Sequence, residues 1–431
     1  MILKMKETFL REPIGDHVYF GSVRDGRYKT NLLAVNLILP LRKEDMTGNA
    51  LVPMILEKGY EDYPTFQAFS KKLNLMYGAS AGSSISKIGD KAVLTLMVSA
   101  IDDGYALNGE ALLKESAEVL MGMLLRPAMK DGLFDERTLA LQRQYLIDTI
   151  EAEINDKRRY AMMKTVSLMF DGEAFGEDRF GTVEGAKAIT AEETAAAYRR
   201  IIDEATVEIL HVGRGDPACA KEVCTKAFSS LTRQPVDIPK TEIQMGSGEV
   251  KNVTERFNVT QSKLCFGFKS DIQPDSQLLN PMRMAVAILG GTPTSKLFLN
   301  VREKKSLCYY CAARFDRTKG IMMIDSGVEH DKIDEAKEAI LEQLQAVCDG
   351  DFSDTDMKFA SLSLQNSFRS MGESAYSMEL YYLTQTVLGL KGTPEEQSEA
   401  IAKVQKDEII EAAKHIRLHT VYLLTDENVK R

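Results

Sequence analysis

The chain has 431 residues, with 54 basic and 63 acidic side chains and a formal net charge of −9, which argues against a nucleic-acid grip built on phosphate neutralisation. Its 44% hydrophobic and 27% charged residues are ordinary globular composition and set aside the disordered, collagenous and coiled-coil classes. Six cysteines are scattered along it, and only five histidines are present, His17, His211, His330, His415 and His419.

The chain opens MILKMKETFLREP, where charges at Lys4, Lys6, Glu7, Arg11 and Glu12 leave no room for the apolar core of a signal peptide. The uncharged run at 30–41 is interrupted by Asn36 and Pro40 and is shorter than the roughly 20 residues that span a bilayer. A cytoplasmic chain with no membrane segment is expected, and the sparse cysteines fit a reducing compartment. Further on, YPT at 63–65 leads through FQAFSKKLNLMYGASAG into a strand at 92–100. The helix that follows carries Leu113, Ala117, Leu120 and Leu124 at three- or four-residue steps, one apolar stripe. Residues 133–170 contain neither Gly nor Pro and predict a long helical stretch. Thr190 and Glu193 fit a capping box at the start of a helix that runs into the strand TVEILHVG. Two prolines and two glycines in RQPVDIPKTEIQMGSGEV, residues 233–250, mark an inter-domain linker.

The second half answers the first in the same order. TPT at 292–294 leads through SKLFLNVREKKSLCYYCAARF into a strand near 321–328, followed by the stripe Ile333, Ala336, Ile340, Leu344 and Val347. A stretch without Gly or Pro at 353–371 comes next, then a closing helix and strand in VQKDEIIEAAKHIRLHTVYLLT. A repeat of about half the chain means one folding unit used twice. The expectation is an α+β protein of two homologous domains, 1–232 and 251–431, joined by the linker 233–250. Each is a largely antiparallel sheet with helices packed on one face.

The stretch ILGGTPTSKLFLNVREKKSLCYY, residues 288–310, resembles the C-terminal-domain signature of the insulinase, pitrilysin and mitochondrial processing peptidase family. Leu289-Gly290-Gly291, Ser295-Lys296-Leu297-Phe298, Arg302-Glu303-Lys304, Leu307 and Tyr309 carry the match. KGYEDYPT, LMYGA and GTVEGAKAIT agree with the family in order, so the resemblance spans essentially the whole chain. It implies a duplicated two-domain build of the LuxS/MPP-like metallohydrolase fold.

In active members of this family H-x-x-E-H lies on the first long helix, just before the residues that match Lys58-Gly59. Its histidines hold zinc and its glutamate activates the bound water. Here those positions are Ala50, Leu51, Val52, Pro53 and Met54, and no histidine lies between His17 and His211. The third ligand, a glutamate on the next long helix, would fall within 143–153, at Thr149. Arg302 and Tyr309 are retained. By resemblance, Arg302 anchors carbonyl or carboxylate groups of a peptide and Tyr309 hydrogen-bonds near the developing oxyanion. Bacterial two-subunit members divide labour in this way, one subunit bringing zinc and its homologue the arginine and tyrosine. The chain is most similar to the second kind, in particular to the non-catalytic half of the pair named for aminopentanol modification of elongation factor P.

The resemblance therefore implies a companion subunit of a heterodimeric zinc peptidase that binds peptide, carries no cofactor and no catalytic residue of its own, and is active only with a zinc-bearing homologue. The alternative is a scaffold or assembly protein that keeps the fold. His415 and His419 in HIRLH have helical i, i+4 spacing but no glutamate between them, and they sit where a helix gives way to a strand, so metal binding is not expected. Cys308 and Cys311 have C-x-x-C spacing but open a strand, where alternation would point them to opposite faces, and they are read as structural. Gly290-Gly291 lacks the length and ending of a phosphate loop and is read as a tight turn.

Overall fold

A computed structural model describes residues 9–246 and 248–427. Lys4, Lys6 and Glu7 of the N-terminal reading, and Ser247 of the expected linker, lie outside the described residues. In chain order the elements begin with strands β1 (Phe9–Gly15), β2 (Val18–Arg24) and β3 (Thr30–Pro40), helices α1 (Met46–Leu56) and α2 (Phe66–Leu75), and strands β4 (Ser80–Lys87) and β5 (Lys91–Ile101). Helix α3 (Leu112–Leu125), the small hairpin β6 (Met129–Lys130) and β7 (Leu133–Phe134), and helices α4 (Glu136–Ala152), α5 (Lys157–Met169), α6 (Val183–Ala188) and α7 (Ala191–Glu204) come next, then β8 (Thr206–Gly213) and α8 (Ala218–Ser229). The remainder holds β9 (Lys251–Phe257), β10 (Ser262–Ser270), α9 (Leu279–Val286), β11 (Cys308–Asp316), β12 (Ile321–Val328), α10 (Ile333–Cys348), α11 (Asp354–Met371), α12 (Ala375–Val387), α13 (Pro394–Ile401), α14 (Lys406–Lys414) and β13 (Ile416–Asp426). The expected linker, 233–250, is coil between α8 and β9.

These elements form two compact units that are not contiguous in sequence. The first takes the chain up to Glu151, Glu177–Lys240 and Gly372–Gly389; the second takes Ala152–Gly176, Thr241–Met371 and the chain from Leu390 on. Where the sequence reading drew continuous domains, each unit thus takes in one helix from the other half, α12 in the first and α5 in the second.

The first unit is built on a six-stranded sheet in the order β1-β2-β8-β3-β5-β4, antiparallel at every step except β2 with β8. The second has five strands in the order β11-β12-β10-β13-β9, antiparallel except β13 with β9. Read from β2 to β4 and from β9 to β11, the two orders and strand directions coincide. Both sheets are antiparallel-rich and mixed with helices, as expected.

The expectation of helices on a single face of each sheet is corrected. Leu33, Val35, Leu37 and Leu39 of β3 point into the main core with α1 and α3. On the opposite face Ile38 joins Val93 of β5, Leu210 of β8 and Leu383 of α12. Each such fully buried side chain contributes about 1.5–3 kcal/mol relative to leaving it in water. The sequence signal was the nearly continuous apolar run of β3, interrupted at Asn36, which marks a strand buried on both faces. In the second unit α5 packs against β10, β12 and β13. Gly267 of β10 is required there, because a Cβ would collide with the Met169 side chain.

The long helix expected over 133–170 is also corrected. Its first two residues form β7, and the helix breaks between α4 and α5, where the Asp156 carboxylate accepts from the backbone amides of Arg158 and Arg159. Aspartate competes for backbone donors better as an N-cap than as a helix-interior residue. The capping box at Thr190 and Glu193 opens α7 as predicted.

Candidate functional site

Helix α1 forms where the resemblance places a metal-binding helix. Ala50, Leu51, Val52 and Pro53 are buried, and Met54 packs half-buried against the core. Positions 50 and 54, one turn apart, offer a methyl and a thioether where imidazoles would be needed, and position 53 offers a proline ring in place of a carboxylate. Thioether sulfur is a soft ligand suited to copper rather than zinc, and hydrocarbon offers no lone pair. The residues present do not fit a zinc ion. They fit packing: α1 lies on α7, and the approach is so close that a Cβ on Gly48 would stand 2.8 Å from the Ala197 Cβ. Thr149 of α4 is engaged locally, its hydroxyl donating to the Tyr145 carbonyl at 2.7 Å.

The C-terminal signature divides into two physical classes. Leu289, Gly290, Leu297, Val301 and Leu307 are buried. Gly290 is needed for close packing, since a Cβ there would meet the Ala313 amide at 2.7 Å; the tight-turn reading understated this. Glu303, Lys304 and Tyr309 are exposed, and Arg302 is half-buried. Arg302 lies on the wide-turned segment Leu297–Lys304, with its guanidinium 4.6 Å from the Phe298 ring centre and its Nε 3.6 Å from a Glu303 carboxylate oxygen. The long, exposed Glu303 pair is worth little, so Arg302 keeps donors for another acceptor.

Tyr309 is 63% exposed, so its ring is not part of the core. Its hydroxyl donates to a Glu329 carboxylate oxygen at 3.4 Å. A phenol held at the surface of a strand by a weak hydrogen bond has its donor available. Both side chains belong to the second unit and are not hydrogen-bonded to each other in the described contacts.

Tyr309 is exposed for a local reason. The pairing of β11 with β12 places Cys308 opposite Val328 and Tyr310 opposite Gly327, so Tyr309 is an extra residue in a β-bulge. Ser306, two residues before the strand, takes a left-handed φ of 50° and aims the chain into it. The bulge corrects the reading of Cys308 and Cys311, because an inserted residue restores a common face to positions that alternation would separate. Both thiols are buried, at 8% and 6% exposure.

The histidines take separate partners. His415 caps the end of α14 and its Nδ1 lies 2.8 Å from an Asp271 carboxylate oxygen, which raises its pKa, while His419 stands in β13 beside the Thr420 hydroxyl. They do not share a helix face. His211 is fully buried, pushed down to about 4 by burial, with Nε2 3.1 Å from the Asn31 side-chain oxygen.

Sequence reasoning missed the buried acids, Glu379 and Asp325 among them. Glu379 of α12 accepts from the Asn36 side chain at 2.8 Å, and burial pushes its pKa up to about 7. Asp325 of β12 pairs with Arg158 of α5 at 2.5 Å and with Arg314 at 3.2 Å. An acid inside an apolar stretch was the available signal in each case, in IMMIDSGV and in YSMELYYL.

Residues 188–364 match the family model described as the peptidase M16 inactive domain. The chain is 28% identical over 402 residues to the probable inactive metalloprotease YmfF of Bacillus subtilis, covering 93% of this chain and 94% of that protein. An uncharacterized zinc protease of Rickettsia felis is 21% identical over 301 residues, 68% of this chain and 71% of that one. Among solved structures, a conserved protein from Enterococcus faecalis superposes with a TM-score of 0.90 at 26% identity, over 98% of this chain and 100% of that one. A peptidase M16 inactive domain from Pseudomonas fluorescens shares the fold, with a TM-score of 0.79 at 15% identity over 99% and 100% of the two chains. Together with the signature at 288–310, these matches make residues 188–364 similar to the peptidase M16 inactive domain and nearly the whole chain similar to a probable inactive metalloprotease, and the apolar residues at 50–54 leave no zinc motif at that position.

Proposed function

We propose that the chain is the non-catalytic companion subunit of a two-subunit, cytoplasmic M16 peptidase. Its partner is a homologue with H-x-x-E-H, which supplies the zinc, and the two form a heterodimer that takes peptides. Arg302 binds carbonyl or carboxylate groups of the peptide, and Tyr309 donates a hydrogen bond near the reacting carbonyl. The observation that carries this reading is a contrast within the signature: Leu289, Leu297, Val301 and Leu307 are buried, while Tyr309 is exposed and Arg302 half-buried, each with a weak partner of its own. A side chain kept out of the core by the surrounding fold serves contact rather than packing. The matching strand orders of the two units support descent of both from one duplicated domain of the LuxS/MPP-like kind.

The test is kinetic. In a complex reconstituted with an H-x-x-E-H homologue, Arg302→Ala is expected to lower kcat/KM for peptide hydrolysis by about tenfold to a hundredfold, chiefly through KM. Tyr309→Phe is expected to lower kcat by a factor on the order of ten to a hundred, since it removes one donor at the developing charge. Rates equal to wild type for both variants would favour the scaffold reading, in which the chain holds an assembly together without touching substrate.

A further inference from the structure

Three cations of the second unit gather around one buried carboxylate. Directly paired residues of neighbouring strands, and alternate residues of one strand, share a face of the sheet. The pairings of β12 with β11 and β10 therefore put Tyr310, Ala312, Arg314, Lys263 and Asp325 on the same face. Asp325 is 1% exposed and is met by Arg158 of α5 at 2.5 Å and by Arg314 at 3.2 Å. The Arg158 guanidinium lies 4.1 Å from the centre of the Tyr310 ring, and the Lys263 ammonium 5.7 Å from the same centre. Gly327 lets that ring lie down on the sheet, since a Cβ there would stand 2.5 Å from a ring carbon.

The cluster is rich in donors and short of acceptors. Arg158 gives Asp325 its Nε, and Arg314 shares Nη1 between Asp325 and the neutral Met162 sulfur at 3.0 Å. Lys263 donates to the neutral Gln261 side chain at 2.6 Å. The other guanidinium N–H groups of Arg158 and Arg314 donate to no acceptor among the described residues. Asp156 also acts on Arg158 and Lys263, but its carboxylate caps the backbone amides of α5. Three cations against two acids leave the patch positive, and burial together with the Arg158 charge holds Lys263 below the usual lysine range. The Arg158 and Arg314 side chains are 38% and 51% exposed, so an incoming anion can reach them.

We propose that Arg158, Lys263 and Arg314 form a subsite that binds a side-chain carboxylate of an acidic peptide. A guanidinium fork matches a carboxylate with parallel N–H···O bonds, and the buried Asp325 holds two forks at a fixed spacing behind the bound group. Ala312, between Tyr310 and Arg314 on this face, offers only a methyl and leaves room above it. The subsite is built on the residue next to Tyr309. It rests on the reading that the chain takes peptides, and it names their class.

The test is binding to the full chain alone, without zinc, partner or turnover, so it fails separately from the companion-subunit reading. A rhodamine-labelled tri-glutamate peptide and its tri-glutamine analogue are titrated by fluorescence anisotropy at about 50 mM salt, where exposed charges are little screened. The tri-glutamate peptide is expected to bind at least about tenfold more tightly. Arg314→Gln and Lys263→Gln should each weaken it by about fivefold to tenfold and leave the analogue unchanged. Arg314→Gln keeps Arg158 on Asp325, so the buried carboxylate retains a cation and the fold is preserved. Equal binding of the two peptides, or wild-type affinity in both variants, overturns the proposal. Inorganic phosphate held by wild type and lost in Arg314→Gln, with no binding of the acidic peptide, overturns it in favour of a free oxyanion.

Discussion

Glu379→Gln is expected to stabilise the first unit by about 3 kcal/mol at pH 8 and to leave it nearly unchanged at pH 4.5. The carboxyl lies on α12, 2% exposed, against the buried face of β3, and its pKa rises from 4.5 to about 7 because burial penalises the charged form more than the Asn36 hydrogen bond rewards it. A folded-state pKa above the unfolded one means that the native state prefers the neutral acid. The contribution is fully present below pH 4.5 and is lost as pH rises through about 7. The rise from 4.5 to about 7 corresponds to about 3 kcal/mol.

Glutamine keeps the carbonyl that accepts from Asn36 and carries no charge at any pH. The neighbouring polar groups stay satisfied, since the Thr95 hydroxyl donates to the Asn36 oxygen at 2.6 Å. For a unit of this size the gain corresponds to a rise in Tm of roughly 6–12 °C at pH 8. Thermal unfolding at pH 5 and pH 8 checks it; a variant no more stable than wild type at pH 8 removes the assignment of a neutral Glu379.

The second large effect has the opposite sign. Glu208 of β8 is 1% exposed, and both its oxygens are held by Arg11 of β1, at 2.6 and 3.0 Å. Arg11→Ala leaves a buried carboxylate without its cation, which costs about 2–3 kcal/mol, less than for a fully buried pair because a third of the Arg11 side chain is in solvent. Burial already raises the pKa of Glu208 even with Arg11 present, so the orphaned acid is expected to take up a proton. The cost of Arg11→Ala should therefore fall as pH drops from 8 to 5. Adding Glu208→Gln to Arg11→Ala should recover most of the loss at pH 8, because no buried charge remains. Urea unfolding of the single and double variants measures this. Equal destabilisation in both would mean that β1 is held by the Arg11 stack on Tyr19 and not by the ion pair.

Much of the fold was legible because its signals are local. The capping box at Thr190 and Glu193 and the apolar stripes of α3 and α10 each report on one segment. The helix carrying residues 50–54 was found by position, and its lack of zinc ligands follows from side-chain identity alone. The placement of α5 and α12 was not legible, since an apolar stripe says that a helix is buried and not which sheet buries it. Nor was the relation of Cys308 to Cys311. Alternation along a strand assumes regular register, and the inserted Tyr309 comes from the pairing with β12, many residues away in sequence. Arg302 and Tyr309 could be named from spacing, but the exposure of Tyr309 required the structure, because it follows from the bulge that inserts this residue into β11.

The central claim is that the chain brings substrate contacts and no metal. The most direct measurement is peptide hydrolysis by the purified chain alone and after mixing with an H-x-x-E-H homologue. The account predicts no turnover by the chain alone, with or without added zinc, and chelator-sensitive turnover in the mixture that exceeds that of the homologue by itself. Turnover by the isolated chain that a chelator abolishes would contradict it.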